Sequence, residues 1–239
     1  MNRTRTEWVD ATINLSITGC RNFGRPEICG DYCYARRMAL RLGGRSGYPE
    51  DDPFRPTFHR NKVAEITWKR DRPSRIFLNS MADWFSEGVE PEWIQEVLRA
   101  VGQNVQDTFF VLTKRPENLG TLKSFRPLPG NLWWGVSVTT QQDAWRIQEL
   151  VKMLPEAHKF VSFEPLHGPI SPELEGIEWI IIGAESGNRL GRIAPNAAWI
   201  LDLLAAAAGE CIPAFMKDNL KPHIPADWDL VQQYPEARQ

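Results

Sequence analysis

The chain has 239 residues, 42% of them hydrophobic and 24% charged, with a formal net charge of −2. That length suits one domain, residues 1–239, with a core large enough to need no staples, and the composition is ordinary for a globular protein. A total charge so close to zero excludes a protein whose overall field names its partner.

Short apolar, β-rich runs recur in chain order, each followed by a polar turn and most by a helical stretch. The first runs from Ile13 to Thr18 and opens into a loop holding three of the four cysteines. A second, Arg75 to Asn79, precedes a helix entered at Pro91, with Trp93, Val97 and Val101 on one face. Thr108 to Thr113 and Leu132 to Val138 are the third and fourth. Thr140-x-x-Asp143 resembles a capping box ahead of a helix carrying Ala144, Ile147, Val151 and Leu154 on one side. Lys159 to Phe163 and Trp179 to Gly183 are the fifth and sixth. A helix from Ala194 to Ala208, entered at Pro195 and closed near Gly209, leads to a weaker seventh run, Ile212 to Met216.

The runs are mostly continuous rather than alternating, as expected of strands buried on both faces of a parallel sheet. Strands spaced by helices imply right-handed βαβ units. An open doubly wound sheet and a barrel both satisfy this. Six or seven units favour a partial or full (β/α) TIM-like barrel of α/β class, with the cysteine loop after strand one. In either architecture function gathers at the carboxyl ends of the strands. Those ends read Thr18-Gly19-Cys20, Asn79-Ser80-Met81-Ala82-Asp83, Thr113-Lys114-Arg115-Pro116, Ser137-Val138-Thr139-Thr140, Ser162-Phe163-Glu164-Pro165, Gly183-Ala184-Glu185-Ser186-Gly187 and Lys217-Asp218. Polar groups at the same end of every strand suggest the lining of one site.

The opening residues, Met-Asn-Arg-Thr-Arg-Thr-Glu-Trp, have no apolar core and do not read as a signal peptide. No run of about 18 apolar residues exists that would span a membrane. A cytoplasmic protein with no membrane partner is expected, a setting in which disulfides are rare. Cys20, Cys29 and Cys33 then suggest a metal or cluster before a bridge. Thiolates are soft, strongly donating ligands for iron. Three of them leave one iron of a cubane without a protein ligand, open to a small molecule. Zinc is the alternative, but structural zinc takes four ligands. Cys211 should sit at the far barrel face, and His59 is the best remaining fourth ligand. Three ordinary buried thiols are a further alternative.

With Thr18-Gly19-Cys20, Cys33-Tyr34-Ala35, Asn79 to Asp83, Leu112 to Pro116, Gly135 to Val138, Phe160 to Leu166, Gly183 to Gly187 and Phe215 to Lys217 in order, the sequence resembles the radical S-adenosylmethionine superfamily. More narrowly it is similar to a phage- and prophage-associated three-cysteine family of unknown function. The spacing here, C-x8-C-x3-C, departs from the superfamily's common C-x3-C-x2-C. The resemblance implies a 4Fe-4S cluster on Cys20, Cys29 and Cys33. It further implies S-adenosylmethionine bound at the open iron, its reductive cleavage to a 5′-deoxyadenosyl radical, and an electron donor such as flavodoxin or ferredoxin. Under it Tyr32 or Tyr34 touches adenine, and the Asn79 to Asp83 turn, through Ser80 and Asp83, takes the ammonium. Lys114 or Arg115 holds the carboxylate, Ser137 and Glu164 reach the ribose, and Glu185 and Lys217 face substrate.

Between Arg36 and Arg75 eleven Lys or Arg stand against five Asp or Glu. The excess reads as a solvated helical face or as a polyanion-binding one. Together with the phage-like family context, it motivates a nucleic-acid base or nucleotide as substrate. With Phe54, Phe58 and Trp68 interleaved, it also motivates a competing function, a nucleic-acid-binding or regulatory module with a structural or sensing cluster.

Overall fold

The computed structural model describes residues 2–4, 6–14, 16–22 and 24–235. Leu15 of the first expected strand, Phe23 of the cysteine loop, and Met1 and Arg5 of the opening residues lie outside that set. The chain divides into two compact units, residues 1–134 and 135–239.

In the first unit, β1 (Asn2–Arg3) runs antiparallel to β2 (Ala11–Ile13). Beyond β2 the chain leaves this sheet. β3 (Ile17–Thr18) leads through the cysteine loop to α1 (Tyr34–Leu42), then to β4 (Thr57–Phe58), the antiparallel partner of β3, and to the single-turn α2 (Arg60–Val63). β5 (Arg75–Leu78) is parallel to β2, α3 (Pro91–Gln103) follows, and β6 (Thr108–Thr113) is parallel to β5. Burial explains the pattern. Ile76, Phe77, Leu78, Phe109, Phe110 and Val111 are all buried, as are Ile94, Val97, Leu98 and Val101 on one side of α3. Each contributes about 1.5–3 kcal/mol of apolar burial. Trp8 lies 4.9 Å from the ring of Phe77 and 5.6 Å from that of Phe110.

β7 (Leu132–Ser137) spans the boundary between the units and is buried throughout. In the second unit come α4 (Trp145–Met153), β8 (His158–Phe163), β9 (Trp179–Ile182), α5 (Ala197–Gly209) and β10 (Ala214–Met216). β9 is parallel to both β8 and β10. All four β9 residues, Trp-Ile-Ile-Ile, are fully buried, which is why the run does not alternate. The capping box of Thr140 and Asp143 is present, in a 3-10 turn that feeds α4.

Two expected boundaries move by three residues or more. The first sheet strand is Ala11–Ile13, not Ile13 to Thr18. The Asn79 amide still donates to the Ile13 carbonyl, but the next amide, Ser80, turns to the Asn14 side chain at 2.8 Å instead of to backbone. Asn79 itself turns to φ +52°, outside the extended region, so β5 cannot accompany β2 further, and Ile17–Thr18 pair with β4 instead. The last helix begins at Ala197, not Ala194, because Asn196 caps it by accepting from the Ala198 amide at 2.8 Å.

Candidate functional site

The cysteine loop starts where only glycine fits. Gly19 has φ +79°, and a Cβ there would stand 2.3 Å from the Arg55 carbonyl oxygen. Tight turns follow: the Cys29 amide donates to the Arg25 carbonyl at 2.8 Å and the Cys33 amide to that of Gly30 at 3.2 Å. Cys33 is itself the N-cap of α1.

The loop brings the three thiols together. Cys29 donates its S–H to Cys33, so the Cys29 thiol is raised and the Cys33 thiol lowered. The Arg36 and Ala35 amides, in the first turn of α1, further favour the Cys33 thiolate. Burial, aided by the Asp83 charge, pushes the Cys20 thiol up to about 12. Lys114 lies close enough to act on all three and draws each toward the thiolate, the form that binds metal. A convergent three-thiol set with a cation beside it is a donor set suited to an iron–sulfur cluster. Among the described residues, no group of three or more His, Cys, Asp or Glu side chains is arranged to hold a metal ion.

Asp83 joins the three chain segments around the thiols. Its carboxylate, 5% exposed, accepts from Asn22 Nδ2 at 2.8 Å, the Phe85 amide at 3.0 Å, Thr113 Oγ1 at 2.8 Å and the Lys114 amide at 2.8 Å. Four donors, from the cysteine loop, the turn after β5 and the end of β6, occupy its two oxygens. Asn79 sits at φ +52° and ends β5. The Ser80 hydroxyl donates to Asn14 Oδ1 at 2.8 Å, and the Tyr34 hydroxyl donates to the Ser80 carbonyl. Tyr32 folds back over Gly30, where a Cβ would stand 3.0 Å from its ring. Arg115 turns to Glu117 at 2.5 Å. His59 is engaged by Thr18 Oγ1 at 2.9 Å and packs on Gly47.

In the second unit the expected residues form two charged pairs. Glu164, after β8, bonds Lys217, after β10. Gly183 makes room for it, since a Cβ there would lie 2.6 Å from Glu164 Cγ. Glu185, 3% exposed, takes both Arg189 nitrogens at 2.6 and 2.8 Å and His167 Nε2 at 2.9 Å. Burial lowers His167. Glu185 is also lowered: Arg189 and His167 outweigh the burial that opposes them. Ser137 is buried, and its carbonyl accepts from Arg146 at 2.9 Å. Cys211 is exposed on the amino-terminal side of β10.

Sequence reasoning missed Asn14, Asn22 and His167. Asn22 carried a signal, lying two residues after Cys20. His167, three residues beyond Glu164, carried none.

Parallel strands with polar carboxyl ends, and three thiols after the first of them, define an α/β protein of the partial (β/α) TIM-like barrel class. Among solved structures, the chain is similar to a spore photoproduct lyase double mutant with bound AdoMet and dinucleoside spore photoproduct. The identity is 9% over 79% of this chain and 60% of that one, with a TM-score of 0.53. It is also similar to spore photoproduct lyase complexed with dinucleoside spore photoproduct, at 11% identity over 87% of this chain and 63% of that one, with a TM-score of 0.51. The chain thus spans about three fifths of the length of these structures, and the likeness is one of fold. No curated protein matches. The chain belongs to the family described as Protein of unknown function (DUF5131), which matches residues 3–223.

Proposed function

We propose that the chain, acting as one barrel domain, binds a 4Fe-4S cluster on Cys20, Cys29 and Cys33 together with S-adenosylmethionine. When bound, that pair supplies reductive cleavage of the sulfonium to a 5′-deoxyadenosyl radical, with the electron coming from a donor such as flavodoxin or ferredoxin. The observation that carries the reading is the convergence of three thiols beside Lys114, in a fold shared with a lyase whose structure contains AdoMet.

The chain's own residues have distinct tasks in this reading. Asp83 braces the loop through its four donors, and by gathering Asn22, Thr113 and the Lys114 amide it sets where Lys114 stands. Lys114 favours the thiolates and offers a cation to the methionyl carboxylate, with Arg115 next along the chain. Asn79 and Ser80 shape the turn that receives the ammonium, and Tyr34 or Tyr32 contacts adenine. Ser137 and Glu164 are carried as ribose contacts, and Glu185 and Lys217 as substrate-facing groups. A nucleic-acid base or nucleotide is the proposed substrate, in keeping with the dinucleoside photoproduct held by the lyase.

Anaerobic reconstitution with iron and sulfide, followed by dithionite and S-adenosylmethionine, tests this. Four irons per chain, a changed electron paramagnetic resonance spectrum on adding S-adenosylmethionine, and 5′-deoxyadenosine as product are expected. A reduced cluster whose spectrum is unmoved, with no 5′-deoxyadenosine, overturns it.

A further inference from the structure

We infer that the outer face of α1 and the turn after it, carrying Arg37, Arg41 and Arg45, docks the phosphate backbone of single-stranded nucleic acid. The inference rests on the nucleic-acid substrate proposed above and says where on the chain such a strand is held.

The first observation is a contrast in charge pairing. Four arginines around the cysteine loop are each matched by a carboxylate: Arg21 with Asp52 and Arg25 with Glu87 at 2.5 Å, Arg55 with Asp51 at 2.9 Å, Arg60 with Glu96 at 3.0 Å. So are Arg70 and Arg75, further along the basic segment. α1 reads Tyr-Ala-Arg-Arg-Met-Ala-Leu-Arg-Leu and holds no acid at all. Among the described residues, no carboxylate stands within ion-pairing distance of Arg37, Arg41 or Arg45. The Arg41 guanidinium donates instead to the Met38 sulfur, at 3.0 Å.

The second observation is the spacing. Tyr34, Arg37 and Arg41 fall at i, i+3 and i+7, one face of a helix, and Arg45 follows four residues later in the next turn. Arg37 and Arg41 are separated by about 6 Å along the axis. The row starts at Tyr34, 55% exposed, immediately after Cys33. It therefore runs outward from the thiols within the same unit.

Folding does not explain the row. α1 buries only Ala39. Arg36 in its first turn and Arg37 just beyond face the positive end of the helix dipole, and like charges at i, i+4 repel. Only Arg41, in the last turn, is favoured by the dipole. A polyanion is the occupant whose charge makes the arrangement favourable. With adenine left to Tyr32, the exposed Tyr34 at the head of a cationic track further suits unpaired bases, which stack on such rings. The other unpaired cations of the basic segment, Lys69 and Arg72, precede β5 and so belong to its amino-terminal side, away from the strand end that holds Ser80 and Asp83.

The test uses the full chain, reconstituted with iron, and a short fluorescein-labelled thymidine oligonucleotide followed by anisotropy. Three phosphates neutralised on a single strand give a log–log salt slope of about −2, a roughly 18-fold loss of affinity between 50 and 200 mM salt. Arg37→Glu/Arg41→Glu should bind far more weakly, with a slope no steeper than about −0.7, and Arg37→Gln/Arg41→Gln should fall between. Iron content and 5′-deoxyadenosine formation without nucleic acid should be unchanged in both variants. Absent binding by the parent at 50 mM salt overturns the inference. So does an Arg37→Glu/Arg41→Glu variant that binds like the parent, or a parent that prefers phosphatidylserine vesicles to the oligonucleotide. If the parent cleaves S-adenosylmethionine but does not bind the strand, the surface falls and the enzymatic reading stands. If it binds through these arginines but cleaves nothing, the reverse holds.

Discussion

Asp83 makes the sharpest prediction. Its carboxylate takes four hydrogen bonds between 2.8 and 3.0 Å, two from backbone amides and two from side chains. A hydrogen bond to a charged group contributes about 1.5–3 kcal/mol. Asp83→Asn keeps one oxygen. It can turn its amide toward Thr113, whose hydroxyl rotates to accept, so the Phe85 amide alone loses its partner and the cost is about 2 kcal/mol. Asp83→Ala strands all four donors, among them the buried Asn22 amide, and the cost rises to about 4 kcal/mol, among the larger effects a single substitution has. Urea unfolding of the iron-free protein reads both values. An Asp83→Ala midpoint within about 0.5 kcal/mol of the parent, the range of an ordinary surface change, refutes the brace. A second reading of the same variants concerns charge. Losing the Asp83 anion should bring the Cys20 thiol down from about 12, seen as faster alkylation of Cys20 at fixed pH.

Cys20→Ala, Cys29→Ala and Cys33→Ala should each abolish brown colour and bound iron after anaerobic reconstitution, while Cys211→Ala keeps both; retention of four irons by any of the first three would remove it from the ligand set. Gly183→Ala should cost about 1–3 kcal/mol by overpacking, because its Cβ meets Glu164 at 2.6–2.9 Å and must push it from Lys217; Lys217→Met in the same background should then add little. For pH, His167 and Glu185 are both depressed in the folded protein. The unfolded chain therefore takes up protons first, and stability is lost as pH falls: from about 6.5 downward for His167, then below about 4.5 for Glu185. The melting temperature should decline from pH 7.5 to 4, and Glu185→Gln should flatten the lower part of that decline. A melting temperature that rises on acidification reverses the assigned signs.

The barrel class was legible because its strands are continuous apolar runs. Trp179-Ile-Ile-Ile leaves no alternative to a strand buried on both faces. The start of the sheet was not legible. Ile13 to Thr18 is apolar enough for a strand, and what ends it early lies far along the chain, where Asn79 turns to φ +52° and the Ser80 amide goes to Asn14, 66 positions away. The thiol set was written in cysteine spacing, yet what surrounds it was half visible. Asp83 stood out as a charge at a strand end, but its duty is set by Asn22, 61 positions away, and Thr113, 30 away. The basic segment was half visible for the same reason. Arg60 and Arg70 find Glu96 and Asp107 some 36 positions downstream. No count of charge within the segment reveals that they are neutralised and that Arg37 and Arg41 of α1 are not.

The start of α1 at Cys33 has a mechanical side. A helix of nine residues is too short to persist in water on its own, and with one buried side chain it draws little from packing. Its first turn is organised around a sulfur. Whatever fixes that sulfur, iron above all, tightens the amides of Ala35 and Arg36 that point toward it, and whatever releases it lets the helix fray from that end. Amide hydrogen exchange along Tyr34–Leu42 is thus a gauge of thiol occupancy that needs no colour and no turnover, and the arginine row lengthens or dissolves with it.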